Sequence, residues 1–469
     1  MSDKTRKNFL PVRPEWLLVI IGLVLGWSIA LVNPPFHSND EDRHFLYAYS
    51  IAQGDWTPEV RNNKRGVDLP ENLVNMVRSF QGIPFHQGSK IPESKLEEIR
   101  TVDLEPSKTT FYSNPNQSNN PLPYIPAAVG VIFGKFIDSN PIFILWSARV
   151  FSLFAYLALL YLAVRVTPVF KNVFMLAGLM PMALFQAASV TYDVMVIASS
   201  FLLVAYILRL ALDDRIKRLR FTDYAAIIAI LLVLNASKEG YFLLGFLFFI
   251  IPYRKINNIV IYILMIAFVI LTYYIESVTW DWIMATAVKG STGQAFQKDF
   301  AFGGMSSIFD RLEQPFEFIG LVFQNILHFK QEWAAGIIGR FGYSYTNLPT
   351  FWLALYGIVL LIAALTDGRR EFDIKPWQKL IIFAIGFINL MMIIVGFLIV
   401  GSPKGAHMIF GMQGRYLIPV VPLVLLLLYN GEFTSEKWRK YRPFVFGGIA
   451  LIVLIYTVSF ISDTFYQAV

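Results

Sequence analysis

The chain has 469 residues, of which 55% are hydrophobic and only 16% are charged. A soluble domain carries about 25% charged residues, so this composition indicates a polytopic membrane protein. The absence of cysteine excludes disulfides, thiolate metal sites and cysteine nucleophiles, and five histidines leave little room for a histidine-rich metal cluster. The net charge of +7 does not indicate nucleic-acid binding, because the basic residues lie in short loops between apolar runs.

Apolar runs of about 20 residues predict the membrane spans. The first run, near residues 15–32, follows four basic residues and has no small-residue cleavage site after it, so we expect a retained first helix. The other predicted spans lie near residues 142–165, 172–188, 191–212, 222–236, 239–252, 256–276, 350–366, 378–400, 417–430 and 444–462.

The basic loops predict the orientation. Residues 213–220, 253–255, 369–379 and 437–442 should be cytoplasmic by the positive-inside rule, as should the N-terminus. Counting back from residues 213–220, the apolar run at 122–137 has to stay outside, so we interpret it as a helix that lies on the outer interface. The alternative is that 122–137 crosses the membrane and another short run does not. The first interpretation gives eleven spans, with the C-terminus outside.

The whole chain, residues 1–469, is then one transmembrane domain with two large outer segments. The first extracytoplasmic loop covers residues 33–141 and the second covers residues 277–350. The second should contain a surface-lying amphipathic helix at 315–329. We expect its aromatic- and glycine-rich part, residues 280–341, to become ordered over an acceptor.

The polar residues of chemical interest fall on one predicted side of the membrane. A charge buried in hydrocarbon is costly, so charged residues at a membrane edge either anchor a helix or form a site. The segment after the first helix combines acidic, basic and imidazole side chains, which is more than an anchor needs. The polar residues on this side are Asp40, Glu41, His44, Asn119, Asn120, Tyr124, Arg149, Ser189, Tyr192, Asp193, Lys238, Glu239, Arg340, Tyr343, His407, Gln413, Arg415 and Tyr416.

Each member of this set has a plainer alternative role. The Asp40-Glu41 pair could cap the helix that begins there, and Asp193 could cap the helix of the 191–212 span. His44, which shares a helical face with Asp40, could be an interface aromatic. Lys238 could reach toward lipid headgroups, and Arg415 could be an interfacial anchor. The combination on one side favours a functional site.

The same residues carry a resemblance to a bacterial family of multi-pass membrane proteins, the domain of unknown function 2142. The similar segments follow one order over most of the chain. They are Pro34-Pro35, Asp40-Glu41-x-x-His44-Phe45, Tyr49 and Ala52-x-Gly54; then Pro181-Met182 with Ser189 and Asp193; then Lys238 with Tyr241; then Gly339-x-Phe341-Gly342; then Gln413-Gly414-Arg415-Tyr416 with Pro419. Asn39 departs from the pattern, which has proline before the acidic pair.

The architecture in turn resembles the GT-C class of membrane glycosyltransferases. That resemblance implies an all-α polytopic fold with interfacial helices in the large outer loops. It also implies a donor sugar carried on a polyprenyl phosphate such as undecaprenyl phosphate. In such a site a carboxylate acts as general base and cations hold the donor phosphate. The resemblance implies Asp40 or Glu41 as the catalytic carboxylate, with Asp40 preferred; His44, Asp193 and Tyr124 as supporting residues; and Arg415, Lys238, Tyr416 and Arg340 at the donor phosphate.

A single base without a covalent step would invert the sugar. Oxygen ligands could hold magnesium or manganese at the acidic cluster, but we expect no obligatory metal or other cofactor. The expected partners are the polyprenyl-phosphate-linked sugar, an envelope acceptor such as a wall polysaccharide or teichoic-acid-type polymer, and the bilayer, without nucleic acid. The expected place is the bacterial cell membrane, with the active site extracytoplasmic. The alternatives are a polysaccharide polymerase or ligase, and a transporter or flippase of lipid-linked saccharides.

Overall fold

The computed structural model describes residues 13–62, 64–83, 90–287, 313–343, 345–399, 401–403, 406–433 and 435–466. The described chain is mostly helical. Its α-helices are α1 (Pro14–Val32), α2 (Glu41–Ala52), α3 (Glu71–Phe80), α4 (Glu93–Arg100), α5 (Ile125–Ile137), α6 (Pro141–Val166), α7 (Lys171–Gly178), α8 (Pro181–Ala187), α9 (Asp193–Leu212), α10 (Phe221–Ser237), α11 (Tyr253–Ile256), α12 (Ile259–Ala287), α13 (Pro315–Gly339), α14 (Thr350–Thr366), α15 (Pro376–Ile399), α16 (Val421–Leu426) and α17 (Glu436–Phe465). Its 3-10 helices include η1 (Pro115–Ser118), η2 (Leu122–Tyr124), η3 (Glu239–Ile250) and η4 (Gly414–Val420).

Within the described residues, six helices are long and apolar enough to cross a membrane. The predicted count of eleven spans is therefore not confirmed, although a multi-pass membrane protein is. These six segments are Pro14–Val32, Pro141–Val166, Asp193–Leu212, Ile259–Met284, Pro376–Ile399 and Lys437–Phe465.

Three predicted spans are broken or irregular. The run at 172–188 forms α7 and α8, which are separated at Met180 because Pro181 disfavours helical geometry in the residue before it. The run at 417–430 divides into the end of η4 and the six-residue α16, with Pro419 and Pro422 inside the segment. The run at 239–252 is the 3-10 helix η3, which no sequence feature explains.

The apolar run at 122–137 forms η2 and α5, and α5 pairs with the start of α6. A Cβ at Gly130 would meet the Ser147 carbonyl oxygen at 2.6 Å, and a Cβ at Gly134 would meet the Ile144 Cα at 2.9 Å. Because glycine has no side chain, the backbones of α5 and α6 can approach each other closely at these two positions. Because the later glycine meets the earlier residue, α5 runs antiparallel along α6, which the sequence did not predict.

The first outer segment also contains strands, so the expectation of an all-α chain is wrong in this part. Strands β1 (Glu59–Arg61), β2 (Lys64–Pro70) and β3 (Thr109–Ser113) form an antiparallel sheet in which β2 is central. The register pairs Gly66 with Glu59 on one side and with Ser113 on the other. Helices α2 and α3 pack against this sheet around a hydrophobic cluster that includes Tyr47, Leu73 and Tyr124.

The second outer segment is described only in part, since residues 288–312 lie outside the described ranges. The predicted helix at 315–329 is present but continues to Gly339 as the 25-residue α13. Strands β4 (Arg340–Phe341) and β5 (Thr346–Asn347) follow it as a short hairpin. The expected ordering of residues 280–341 over an acceptor falls partly on residues 288–312 and stays a prediction.

The basic loops meet one another at one end of the bundle. Arg254 pairs with Asp214 at 3.0 Å, and the backbone N–H of Leu219 donates to the carbonyl of Lys255. At the same end, Arg442 donates to the Thr366 carbonyl at 2.8 Å. The loops predicted to share a membrane face are thus neighbours, and the residues of the candidate site lie at the opposite end of α1.

Candidate functional site

The segment between α1 and α2 is buried and fixed by side-chain hydrogen bonds. Asn33, His37 and Asn39 are each at most 1% exposed. His37 Nδ1 pairs with Asn33 Oδ1 at 2.7 Å, and His37 Nε2 pairs with Thr346 Oγ1 of β5 at 3.2 Å. These bonds join the two outer segments immediately before the acidic residues.

Asp40 presents a carboxylate that is held but accessible. Its backbone is left-handed, with a φ of 55°, and its side chain does not cap α2, so helix capping does not account for it. The Tyr343 hydroxyl donates to Oδ1 at 3.0 Å, and the Asp40 backbone N–H donates to that hydroxyl at 3.2 Å. Arg43 lies 3.7 Å from Oδ1 of Asp40. The Asp40 side chain is 38% exposed, and none of the described hydrogen bonds occupies its Oδ2.

Glu41, the next residue, has a different environment. Its carboxylate is fully buried and accepts from Nε and Nη2 of Arg149 at 2.8 and 2.6 Å. It also accepts from the backbone N–H of Val190 at 3.0 Å. Arg149 uses its remaining donors on the carbonyls of Ala30, Asn33 and Pro34. Such a bidentate, fully satisfied pair holds α1, α2 and α6 together.

His44 lies one turn into α2 and is part of a hydrogen-bonded network. Its Nδ1 is 2.7 Å from the Tyr124 hydroxyl and 3.2 Å from Asn116 Nδ2. Asn119 Nδ2 donates to the same Tyr124 hydroxyl at 3.0 Å. With Asn116 as donor, Nδ1 is the acceptor and the ring proton is assigned to Nε2.

The electrostatic surroundings of His44 favour the neutral ring. Burial lowers the pKa of His44 to about 4, with Arg415 and Arg43 acting in the same direction. Asp40 and Asp193 oppose this shift without reversing it. His44 is therefore neutral at pH 7 and can donate a hydrogen bond, while all four charged groups lie within electrostatic range of its ring.

Arg415 is a buried cation with unused hydrogen-bonding capacity. Its side chain is 5% exposed, and its Nη1 lies 3.0 Å from Asp193 Oδ2 and 3.3 Å from Gln186 Oε1. Its Nη2 donates to the Tyr416 hydroxyl at 2.9 Å. Its Nε is buried and has no hydrogen-bond partner among the described residues. A buried donor without a partner is costly, so it favours an acceptor that arrives with a ligand.

Lys238 adds a second cation beside Arg415. It follows α10, and its Nζ lies 3.7 Å from the ring centroid of Tyr416 and 5.4 Å from that of Tyr192. In the described part of the chain no carboxylate forms an ion pair with Lys238. Aromatic faces stabilise an ammonium by cation–π attraction and leave its N–H donors available.

A close backbone contact positions Arg415. A Cβ at Gly414 would lie 2.1 Å from the Trp333 carbonyl oxygen and 2.6 Å from the carbonyl carbon of Gly336, so only glycine fits. The preceding residue, Gln413, accepts from Asn39 Nδ2 at 3.1 Å. Helix α13 and the segment before Asp40 thus both fix the start of η4.

The structure brings together most of the residues predicted for the site. They are Asp40, His44, Tyr124, Asp193, Lys238, Arg415 and Tyr416. Glu41 is adjacent but faces Arg149. Arg340 is engaged elsewhere, because its Nε donates to Asn347 Oδ1 at 2.7 Å and its Nη1 lies 3.5 Å from Glu332. No contact of the described residues joins Arg340 to Arg415.

Sequence reasoning assigned no role to three residues that shape the site. Tyr343 was placed on the outer side without a function, although it holds Asp40. Gln186 was hidden in an apolar run, where a lone amide was the available signal. Asn116 had no distinguishing signal in its polar loop.

The described residues offer no ready metal centre, since no three His, Cys, Asp or Glu side chains among them converge. The expectation about magnesium or manganese rests on ligand chemistry alone and stays a prediction.

Comparison with known proteins identifies the family. No curated protein and no solved structure matches the chain. The family described as predicted membrane protein (DUF2142) matches residues 23–424, which include every residue of the candidate site. The chain therefore belongs to the DUF2142 family of membrane proteins.

Proposed function

We propose that this protein is a GT-C type glycosyltransferase that moves a sugar from a polyprenyl-phosphate carrier to a cell-envelope acceptor on the extracytoplasmic face. The observation that carries the proposal is the combination of an accessible carboxylate, Asp40, with two cations, Arg415 and Lys238, whose donors are not all used. A base beside a phosphate-binding pair is what transfer from a sugar phosphate to a hydroxyl needs.

The charge balance supports a phosphodiester donor. Arg415 and Lys238 carry two positive charges, and Asp193 compensates one of them through its ion pair with Arg415. Arg43, which lies 3.7 Å from Asp40 Oδ1, offsets the charge of Asp40. One positive charge therefore remains, and it matches the single negative charge of a polyprenyl-phosphate sugar. When the bond between the sugar and the phosphate breaks, the phosphate gains a second negative charge, so cations placed here stabilise the transition state more than the ground state.

In this reaction Asp40 takes the proton of the acceptor hydroxyl. The hydroxyl oxygen attacks the anomeric carbon, the bond from that carbon to the phosphate oxygen breaks, and polyprenyl phosphate leaves. The hydrogen bond from Tyr343 to Oδ1 orients the carboxylate, and no hydrogen bond of the described residues occupies Oδ2, which is left for the acceptor hydroxyl. A single displacement of this kind inverts the configuration of the sugar.

Burial and pairing make Asp40 the better candidate for the base. Glu41 is fully buried and both its oxygens are bound by Arg149, so protonating it would break a buried ion pair. His44 is neutral and can donate from Nε2, which suits it to orient the acceptor or the base.

The location of the site also supports an extracytoplasmic reaction. The basic loops 213–220, 253–255 and 437–442 lie at the other end of the bundle, and by the positive-inside rule that end is cytoplasmic. A polyprenyl-linked donor rather than a nucleotide sugar fits this side. Wall polysaccharides and teichoic-acid-type polymers are acceptors of the expected class.

A polysaccharide polymerase or ligase would use a similar set of residues and remains the second candidate. A transporter or flippase is less well supported, because carriers place their charged residues near the membrane midplane and often have paired repeats. The charges described above lie where helices end, at Asp40, Asp193, Lys238 and Arg415.

The test uses the purified protein in nanodiscs with a panel of polyprenyl-phosphate sugars and measures the release of free polyprenyl phosphate. We expect release with at least one donor, and loss of donor binding in Arg415→Ala. Arg61→Ala is the control, because Arg61 is an exposed arginine of the first outer segment whose ion pairs are with Glu59 and Asp68 and not with residues of the candidate site. Saturable binding of a lipid-linked oligosaccharide without release from any donor would contradict the transferase and favour the polymerase or the carrier.

A further inference from the structure

A second charged cavity lies at the other end of the bundle from the candidate site. It has a volume of about 640 Å³ and lies between the starts of α1, α7 and α17 and the turn after α14. Helix α1 separates the two places by ~28 Å, since it rises 1.5 Å for each of its residues. The cavity falls in the usual size range of ligand sites, about 300–1,000 Å³.

The described residues that line this cavity include six basic and three acidic side chains. One ion pair forms its floor, because Arg442 Nη2 lies 2.9 Å from Asp367 Oδ1 and both side chains are at most 4% exposed. Asp367 also accepts from the backbone N–H groups of Asn172 and Val173 at the start of α7. The floor is therefore neutral and held in place by three elements.

The wall of the cavity has a net positive charge, because five basic side chains outnumber its two carboxylates, Glu15 and Glu371, the second of which lies 4.0 Å from Arg439. Lys171 donates to the carbonyls of Val164 and Arg165, which fixes it at the end of α6. Three further basic side chains, those of Arg13, Arg369 and Lys440, line the cavity and form no ion pair with a described carboxylate. Arg13 and Arg369 are both within electrostatic range of Lys171, so their charges act on the same space.

We propose that this cavity binds the phosphate group of an anionic ligand. Arginine forks match phosphate oxygens and lysine adds a point charge. Basic residues near a membrane often serve only to set the orientation of the protein in the membrane, but such residues are spread over exposed loops. Here they converge on one cavity whose floor is a buried, neutral ion pair. The phosphate can come from the headgroup of an anionic lipid or from a soluble phosphate compound.

The test measures thermal stability of the detergent-solubilised full-length protein during titration with three probes. They are short-chain phosphatidylglycerol, phosphatidylcholine of the same chain length, and inorganic pyrophosphate. We expect saturable stabilisation by phosphatidylglycerol, by pyrophosphate or by both, and none by phosphatidylcholine. A response to phosphatidylglycerol alone identifies a lipid headgroup as the source, and a response to pyrophosphate alone identifies a soluble phosphate.

The variant Arg369→Gln/Lys440→Gln removes two wall charges and leaves the buried Asp367–Arg442 pair intact. We expect about thirtyfold weaker binding, since each basic residue near an anionic surface contributes about fivefold. The matched control, Lys217→Gln/Arg218→Gln, removes the same charge from an exposed basic loop at the same end and should bind like wild type. No saturable effect of any probe, or equal weakening in both variants, would overturn the proposal.

Discussion

Replacing Glu41 with glutamine should damage the fold rather than the chemistry. The change removes one negative charge and keeps the shape of the side chain. Arg149 would then be a fully buried cation without a counter-ion, in contact with the carbonyls of Ala30, Asn33 and Pro34. These carbonyls satisfy its N–H donors but carry no net charge.

The size of the effect follows from the burial of both partners. Breaking a buried ion pair by removing one member costs about 3–5 kcal/mol, because the other charge is left uncompensated. Both side chains are 0% exposed and the pair is bidentate, so no solvent screening reduces this cost. Arg149→Met should cost at least as much, since it leaves a buried carboxylate and three carbonyls without donors. The double variant should cost less than the sum of the two single changes.

The assay is thermal unfolding of the purified protein in one detergent, with donor turnover measured on the fraction that remains folded. We expect a clear drop in Tm for Glu41→Gln and residual turnover in the folded fraction. A Glu41→Gln protein with the wild-type Tm and no turnover would refute this reasoning and would make Glu41 the catalytic carboxylate.

Three further changes test the parts around Asp40. Arg415→Lys should keep the charge but weaken donor binding, because lysine cannot place donors on Asp193, Gln186 and a phosphate together; the donor Kd measures it, and an unchanged Kd would contradict the assignment. Gly414→Ala should lower the free energy of unfolding by about 1–3 kcal/mol, because the added Cβ overpacks against the α13 backbone. It should also lower donor affinity by displacing Arg415. Tm and Kd are measured together, and wild-type values of both would contradict the close contact. The pKa of His44 is about 4 in the folded protein, below its ordinary value of 6.5. Between these two values the unfolded state binds a proton that the folded state does not, so stability decreases as the pH is lowered from 6.5 to 4. His44→Gln should reduce the protons taken up on unfolding in this window by about one, and an unchanged pH dependence would contradict the neutral ring.

The sequence predicted that distant polar residues lie on one side of the membrane, and the structure brings many of them close together, whereas the predicted count of eleven spans is not confirmed. Residues that lie more than 150 positions apart, such as Asp40 and Arg415, were placed on one side by topology alone, and the structure places them in one cluster. Hydropathy could not predict that the run at 172–188 breaks at Met180, or that the run at 239–252 is a 3-10 helix. Both runs are apolar, so their composition does not depend on whether the helix is continuous.

The different roles of Asp40 and Glu41 could not be read from the sequence. The two residues are adjacent carboxylates at a helix start, and long-range partners distinguish them, Arg149 for Glu41 and Tyr343 for Asp40. The small sheet of β1, β2 and β3 was missed for a related reason. Its strands are short and polar, and β3 comes 39 residues after the end of β2, so the pairing is not local.

The most direct test of the account compares Asp40→Asn with Asp42→Asn in the polyprenyl-phosphate release assay. The two changes are chemically identical and lie two residues apart, and Asp42 makes only a 3.5 Å contact with Gln81 among the described side chains. We expect both variants to fold with Tm values close to wild type. The account predicts that Asp40→Asn loses at least a hundredfold in turnover while it still binds the donor, since general-base catalysis contributes about 10²–10⁴-fold, and that Asp42→Asn keeps near wild-type turnover. Full turnover in Asp40→Asn would contradict the central claim.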